Sequence, residues 1–287
     1  MPLLPKKIAA IALAAGVGLS FTALLVRADD KAAGTVADKA DAKKAPVPGE
    51  VHGEIAKLVA DVKADLDGFT PLFNGKDLTG WEGNTDLWSV QDGAITGKTT
   101  KDKPLKSNTF LILKDKEVSD FELRFQYKIV AGNSGVQYRA KRIESKDPTN
   151  KFAVGGYQAD FEAGTKYSGI NYNEQNVAGK RGILAERGTK VHYKADGTKE
   201  TTKLEKTTEE LQQAIKSEDW NEYVVVAKGP HMIHKINGNV TSEVIDEDPA
   251  AVKKGIVALQ VHVGPPMTVQ FKDVLIKETP AAAAAAK

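Results

Sequence analysis

Apolar and polar residues alternate with a period of two along most of the chain after residue 68. The clearest stretch is 121–129, where every odd position is apolar and every even position is polar. This alternation is typical of a β-strand with one buried face and one solvated face. Further segments with this period are 109–113, 134–139, 156–161, 222–228, 256–262 and 268–277.

Local signals between these runs predict one hairpin and one short helix. Asn237-Gly238 separates the runs 231–236 and 240–245, and both residues accept the positive φ of a tight hairpin turn. Thr207 or Thr208 can cap a helix over 209–216, whose first turn is acidic. Many short strands with turns between them predict an all-β sandwich or jelly roll.

The two ends of the chain have a different character. Residues 1–28 carry Lys6 and Lys7 before an apolar run, and they predict either a cleaved signal peptide ending at Ala28 or a membrane anchor. Residues 29–49 are poor in large apolar side chains and predict a flexible linker. An amphipathic helix is predicted over 50–67, the main domain over 68–279, and a disordered tail over 280–287.

Composition narrows the function classes. The formal net charge is +2, and removing the three positive charges of residues 1–28 leaves −1. Neither value suits a nucleic-acid-binding protein, which needs a basic excess. The chain has no cysteine, which excludes disulfides, thiolate metal sites and cysteine nucleophiles. No membrane contact is predicted beyond the N-terminal segment, and no oligomeric state is predicted.

Strand alternation also sorts the polar residues into faces. In three of the predicted strands the apolar residues face the core, and consecutive polar residues lie on the opposite side. That side carries Asn133, Gln137, Arg139, Gln158, Asp160, Glu162, Gln260 and His262. Such amides, carboxylates and a guanidinium suit a ligand rich in hydroxyl groups, and a carboxylate near a histidine can perform acid/base chemistry. The alternative is an ordinary solvated sheet surface.

Several other residues are candidates either for the core or for a functional site. His234 alternates with apolar neighbours and is expected in the core. Core packing is also favoured over sugar stacking for Trp81, Trp88 and Trp220. Glu174 could be a catalytic carboxylate or a surface charge. No cofactor is required by any motif, although calcium or another divalent metal would suit sandwich loops such as 246–248.

Nine sequence blocks, in this order and spacing, resemble the 3-keto-disaccharide hydrolase domain family, most closely members exported by planctomycete-type bacteria. The blocks are GFTPLFNGKDLTGW (68–81), LWSVQDGAIT (87–96), SDFELRF (119–125), NSGVQYR (133–139), GYQAD (156–160), DWNEY (219–223), ING (236–238), LQVHVG (259–264) and FKDVLI (271–276). The resemblance implies a concanavalin-like jelly-roll sandwich of two antiparallel sheets. It also implies cleavage of glycosides that carry a ketone at C3, by elimination and hydration.

The resemblance implies site residues one by one. Asn133-Ser134-Gly135 with Arg139, Gln158, and Gln260 with His262 match the family's motifs, whereas Gly156 replaces a glutamate. His262 or Asp160 is expected to act as the base, and Arg139 and Gln158 are expected to orient hydroxyls or polarise the ketone. Glu174 and Arg181 are reserve candidates, and Asp160 or Glu162 could substitute for the missing glutamate.

Two other functions remain open from the sequence. The same sandwich serves non-catalytic carbohydrate-binding modules, and Gly156 at the expected glutamate position favours such a lectin-like role. The linker and the N-terminal segment would also suit an envelope adhesion module.

Overall fold

The computed structural model describes Lys57, Ala60, Asp61, residues 63–179 and residues 181–279. The predicted leader, linker and tail therefore lie outside the described residues. In the helix predicted over 50–67, the described Lys57, Ala60, Asp61 and residues 63–65 are helical, and Lys57 Nζ lies 3.0 Å from the Asp61 carboxylate one turn later. Within the described part of the chain, no helix has the length and hydrophobicity needed to cross a membrane.

Residues 69–279 form a sandwich of two β-sheets, which confirms the predicted all-β fold. The strands are β1 (Thr70–Pro71), β2 (Trp81–Glu82), β3 (Trp88–Gln91), β4 (Ala94–Lys98), β5 (Thr109–Leu113), β6 (Phe121–Val130), β7 (Asn133–Arg142), β8 (Val154–Glu162), β9 (Asn171–Glu174), β10 (Ile183–Ala185), β11 (Thr189–Tyr193), β12 (Lys199–Lys203), β13 (Asn221–Lys228), β14 (His231–Ile236), β15 (Asn239–Asp246), β16 (Ile256–Val261) and β17 (Thr268–Glu278). One helix, α1 (Thr208–Gln213), precedes β13.

The two sheets have ten and seven strands. The larger has the order β12-β11-β15-β14-β13-β6-β17-β4-β3, with β1 added beside β17, and the smaller has the order β10-β9-β8-β7-β16-β5-β2. Neighbouring strands run antiparallel except β11 and β15, which are parallel. This pair departs from the predicted purely antiparallel sheets: β12, α1, β13 and β14 come between β11 and β15 along the chain, and β15 then lies beside β11 in the same direction.

The core lies between the sheets and is filled by the faces that alternation assigned to it. Tyr157, Ala159 and Phe161 of β8 are fully buried there, as are Val257, Leu259 and Val261 of β16. Aromatic rings make many of the contacts across the core: Tyr127 stacks on Phe161 with ring centroids 4.0 Å apart. Burying these large apolar rings supplies the main driving force for sheet association.

Two local predictions are confirmed, and one helix boundary is corrected. Asn237 and Gly238 have φ of 48° and 80°, as a tight hairpin requires. Thr207 caps α1 with a capping box to Glu210. The helix ends before the predicted residue 216, because the carbonyl of Ala214 accepts from the Asn237 side chain.

The three tryptophans differ in their environment. Trp81 and Trp88 are buried in the core, as expected. Trp220 is instead half-buried, and the ammonium group of Lys272 lies 4.1 Å from its ring centroid. The prediction of core packing is therefore wrong for Trp220.

Candidate functional site

The outer face of the seven-stranded sheet carries a row of five polar residues. Gln137 pairs with Gln158 across β7 and β8, and Gly135 pairs with Asp160. Leu259 of β16 pairs with Val136, which places Gln260 beside Gly135 on the same face as the two other glutamines. This polar row consists of Asn133, Gln137, Gln158, Asp160 and Gln260.

Hydrogen bonds join the members of the polar row to one another. Gln137 Nε2 donates to Gln158 Oε1. Gln158 Nε2 donates to Asp160 Oδ2 at 2.7 Å and to Gln260 Oε1 at 3.3 Å, and Asn133 Nδ2 donates to Asp160 Oδ1 at 2.7 Å. A Cβ atom at Gly135 would lie 2.6 Å from Gln158 Cγ, so glycine is needed there for Gln158 to lie across β7.

Two amide atoms of the polar row have no hydrogen-bond partner. They are Gln137 Oε1 and Gln260 Nε2, and both side chains are fully buried. An unpaired buried amide atom costs free energy, typically about 1–3 kcal/mol. Because both atoms are buried, a bound hydroxyl group could supply the missing partner only after the side chains that cover them move.

Asp160 is the titratable group of the polar row. Its burial raises the pKa to about 8, against the opposing hydrogen bonds from Asn133 and Gln158, and the nearby charges of Glu162 and Glu174 raise it further. A carboxyl group with this pKa is mainly protonated at neutral pH. Asp160 is therefore equipped to give up a proton rather than to accept one.

A surface cleft of about 350 Å³ opens at the end of the polar row. Asn133, Glu162 and His262 supply its polar side chains, and the turn between β16 and β17 forms part of its wall. Glu162 is held in place because its Oε1 accepts from the backbone amides of Lys166 and Tyr167, at 2.6 and 2.9 Å. The predicted His262, Glu162 and Asn133 thus meet in one cleft, and Asp160 lies directly behind Asn133.

The hydrogen bond of His262 fixes which ring nitrogen is free. Its Nδ1 pairs with the carbonyl oxygen of Val263. A carbonyl can only accept, so Nδ1 carries the hydrogen of the neutral ring and Nε2 is left as an acceptor. An acceptor nitrogen on the wall of a cleft is the arrangement that a general base needs.

Arg139 does not join the polar row, which corrects its predicted placement. Its guanidinium donates to the carbonyls of Ser119 and Gly229, at 2.7 and 2.8 Å, and to Asp120 at 3.1 Å. The cause is a β-bulge between Tyr138 and Lys141, at which Arg139 has φ of 46°. A bulge adds a residue to one strand and reverses the faces beyond it. Arg139 therefore ties segments outside the sheet together.

Arg181 is also engaged elsewhere. Its guanidinium pairs with both carboxylate oxygens of Asp246, at 2.7 and 2.8 Å, and Asp246 also accepts from the Tyr157 hydroxyl at 2.6 Å. The calcium ligand suggested at 246–248 is thus already bound to an arginine. No group of three or more histidine, aspartate or glutamate side chains in the described residues is arranged to hold a metal ion.

Two residues of the site, Tyr172 and Asn108, could not be identified from the alternation of apolar and polar residues. Tyr172 pairs with Gln158 on the same face, half-buried, and desolvation with the nearby carboxylates of Glu174 and Asp160 raises its pKa. Asn108 precedes β5, and its side chain contacts Glu174. Tyr172 lies on a strand too short to display a period, and Asn108 lies in a loop.

Comparison with known families decides the assignment of the domain. Residues 68–277 match the family described as "3-keto-alpha-glucoside-1,2-lyase-like domain", which is nearly the whole sandwich. The chain belongs to this family. The predicted family is confirmed, and the planctomycete-type origin stays a prediction.

Relatives of this 3-keto-glucoside lyase-like domain include a curated protein of Bacteroides thetaiotaomicron named 3-keto-disaccharide hydrolase. The two are 29% identical over 147 residues, which cover 48% of each chain. The chain thus spans about half the length of that curated relative.

Solved structures similar to the lyase-like domain include a candidate glycosyl hydrolase of Parabacteroides distasonis. It has 21% identity and a TM-score of 0.47, and the match covers 76% of this chain and 96% of that one. Another is the carbohydrate-binding module CBM66 of Bacillus subtilis, with 15% identity and a TM-score of 0.44, covering 69% of this chain and 96% of that one.

Steric crowding explains the glycine at position 156 of the lyase-like domain. A Cβ atom there would lie 2.6 Å from Ala140 Cα, because the bulge in β7 brings that backbone close. Gly255, on the other side of the bulge, is equally crowded, with a Cβ position 2.2 Å from the Ala140 carbonyl oxygen. A glutamate does not fit at 156 unless the bulge changes. The residue paired with Gly156 across the strands is Glu174, which is buried.

Proposed function

We propose that this protein is an exported carbohydrate-active enzyme that cleaves 3-keto-glycosides by elimination followed by hydration. One observation carries the proposal. His262, with an acceptor nitrogen, lines the same cleft as Asn133, and Asn133 donates a hydrogen bond at 2.7 Å to Asp160, whose pKa is raised by burial to about 8. A base and an acid are thus one amide apart on a single sheet face, in a domain of the matching family.

The ketone at C3 makes this pair sufficient for the chemistry, because it acidifies the hydrogen on C2. His262 Nε2 takes that proton, and the electron pair forms the C1–C2 double bond as the glycosidic C1–O bond breaks. Asp160 gives its proton to the leaving oxygen. Water then adds across the double bond with the two groups in reversed roles, so the net reaction is hydrolysis.

The amides of the polar row would hold the sugar. Gln137 has a free acceptor and Gln260 a free donor, and these would match the hydroxyl groups of a sugar ring once the side chains that bury them move aside. Gln158 orients both through its contacts with each of them. Since Arg139 is engaged elsewhere, polarisation of the ketone would fall to the neutral amides of the row, such as Asn133 and Gln158.

The experiment is incubation of the purified protein with 3-keto-glycosides and with their unoxidised parents. We expect release of the aglycone from the keto compounds alone, with a primary isotope effect when C2 carries deuterium. His262→Ala should lower kcat about 10²–10⁴-fold, the range typical of a general base. His231→Ala, a half-exposed histidine bonded to Glu243 on the other sheet, is the matched control and should keep full activity. Unchanged turnover in both His262→Ala and Asp160→Asn would remove the assignment.

A lectin-like module is the second candidate, because Gly156 stands where the family motif has a glutamate. The same incubation separates the two functions. Saturable binding of the keto-glycosides without product would favour the binding module, and product formation excludes it as the sole role.

Export to the periplasm or the cell exterior is the remaining part of the proposal, and residues 1–28 support it through their charged start and apolar run. N-terminal sequencing of the protein from cells tests it. A mature chain beginning at Asp29 is expected for a cleaved signal peptide, and an intact N-terminus in the membrane fraction would indicate an anchor.

A further inference from the structure

Asn108 uses both ends of its side-chain amide. Its Nδ2 donates to Glu174 Oε1 at 3.3 Å, and its Oδ1 accepts from the backbone amide of Val263 at 2.9 Å. The orientation is forced, because the Val263 N–H can only donate, so the amide oxygen of Asn108 must face Val263 and its nitrogen must face Glu174. Replacing either end therefore has a separate, foreseeable effect.

The contact between Asn108 and Glu174 passes over the polar row. Glu174 pairs with Gly156, and Asn108 is two residues before Phe110, which pairs with Gln260, so both share the face of the polar row. In the sheet order, β8, β7 and β16 lie between β9 and β5. A hydrogen bond between side chains from the two flanks requires this face of the sheet to be concave.

The other end of Asn108 leads to His262. Val263 donates its N–H to Asn108 Oδ1, and its carbonyl accepts from His262 Nδ1. The backbone of Asn108 is itself anchored, because its main-chain carbonyl accepts a hydrogen bond from Asn150 Nδ2 at 2.8 Å. One amide side chain thus connects the turn that sets the His262 tautomer to a buried carboxylate on the opposite side of the face.

We propose that Asn108 is a positioning residue, which holds the Glu174 carboxylate at one end of its amide and, through Val263, the His262 imidazole at the other. The inference rests on the proposed function for its catalytic meaning. Through Val263 it keeps the His262 Nε2 lone pair directed to the cleft, and through Glu174 it keeps a carboxylate above the amides as an acceptor for sugar hydroxyls.

Two variants test the two ends of the amide. Asn108→Ala removes the acceptor of the Val263 N–H, so the turn loosens and His262 loses its fixed tautomer. Asn108→Asp keeps that acceptor but sets a second carboxylate against Glu174. The readouts are the imidazole 15N chemical shifts, which report the tautomer of the neutral ring, and kcat and KM on a 3-keto-glycoside. His192, which pairs with Glu247 on the other sheet, is the internal reference in the spectra.

In the wild type we expect His262 as the Nδ1–H form. In Asn108→Ala we expect a mixture of tautomers and a kcat about tenfold lower, with KM changed less than about threefold, since misplacement of a base mainly affects the chemical step. In Asn108→Asp we expect the wild-type tautomer of His262 and a raised KM, because the second carboxylate disturbs Glu174. An unchanged His262 spectrum in a folded Asn108→Ala protein would overturn the inference. If no variant or wild type turns over any 3-keto-glycoside, the proposed function fails, while the spectra still decide the role of Asn108.

Discussion

Two clusters of buried polar side chains in this sandwich are built on different principles. The interior network, defined as Tyr138, Asn171, Tyr223 and His234, joins the two sheets: Tyr138 and Asn171 belong to the smaller sheet, and Tyr223 and His234 to the larger. The polar row lies within one sheet, and its hydrogen bonds run along that sheet's outer face.

The two clusters also differ in how completely they are satisfied. In the interior network His234 Nε2 accepts from Tyr138 at 2.8 Å, and Nδ1 donates to the Ile170 carbonyl at 3.2 Å, so both ring nitrogens are used. Only Asn171 Oδ1 lacks a partner among the four side chains, whereas the polar row leaves Gln137 Oε1 and Gln260 Nε2 unpaired. A network that satisfies its own hydrogen bonds stabilises the fold, whereas the unpaired atoms of the polar row are the ones that the proposed ligand would satisfy.

The largest effect on the free energy of unfolding is expected from removing the central side chain of the interior network. His234→Ala leaves a cavity and two tyrosine hydroxyls without their ring partner, and we expect the free energy of unfolding to fall by about 3–5 kcal/mol. Urea denaturation measures it. His231→Ala on the same strand is half-exposed and should cost less than about 1 kcal/mol. Equal midpoints for the two variants would show that the network does not hold the sheets together.

A smaller effect is expected in the polar row, where stability and binding should separate. Gln260→Met removes an unpaired donor and a long hydrogen bond, so the free energy of unfolding should stay within about 1 kcal/mol of the wild type. Binding of the sugar should weaken about tenfold, since a hydroxyl group loses its partner. Gln158→Met is the matched variant, because it breaks three contacts of the row and should lower stability as well. A large loss of stability in Gln260→Met would mean that the row is structural, like the interior network.

Strand alternation was sufficient to predict one of these clusters and not the other. The faces of β8 and β16 follow the period of two, so Gln158, Asp160 and Gln260 were placed correctly relative to Tyr157 and Leu259. For His234 the pattern indicated burial and nothing about its partners, since these are Tyr138 of the other sheet, Tyr223 of the neighbouring strand β13 and the Ile170 carbonyl just before β9. The period of two along a strand does not predict which distant strands pair with it.

Arg139 shows where the same reasoning fails. Its position in β7 has the right parity for the polar row, but the bulge after Tyr138 reverses the face, and alternation over six residues carries no sign of a bulge. The glycines that permit the bulge lie outside β7, Gly156 on the adjacent β8 and Gly255 just before β16. Only the paired strands together reveal why each of them is glycine.

The finest distinction between the clusters is their opposite response to pH. Burial lowers the pKa of His234 to about 3 and raises that of Asp160 to about 8. A depressed histidine pKa reduces stability only as the pH falls below the ordinary value near 6.5, whereas a raised aspartate pKa favours the folded state at low pH and loses that contribution as the pH rises through 8. Between pH 6.5 and 8 only Asp160 of this pair changes the stability, by on the order of 1 kcal/mol.

Urea unfolding of Asp160→Asn and the wild type at several pH values in this range should therefore show the wild type losing stability relative to the variant. Asp77→Asn is the control, because hydrogen bonds from Thr79 and Asn74 lower the pKa of Asp77 to about 2 and it stays ionised throughout. Parallel curves for Asp160→Asn and the wild type would mean that Asp160 is already ionised at pH 6.5, and the acid of the proposed mechanism would have to be sought in Glu162 or Glu174.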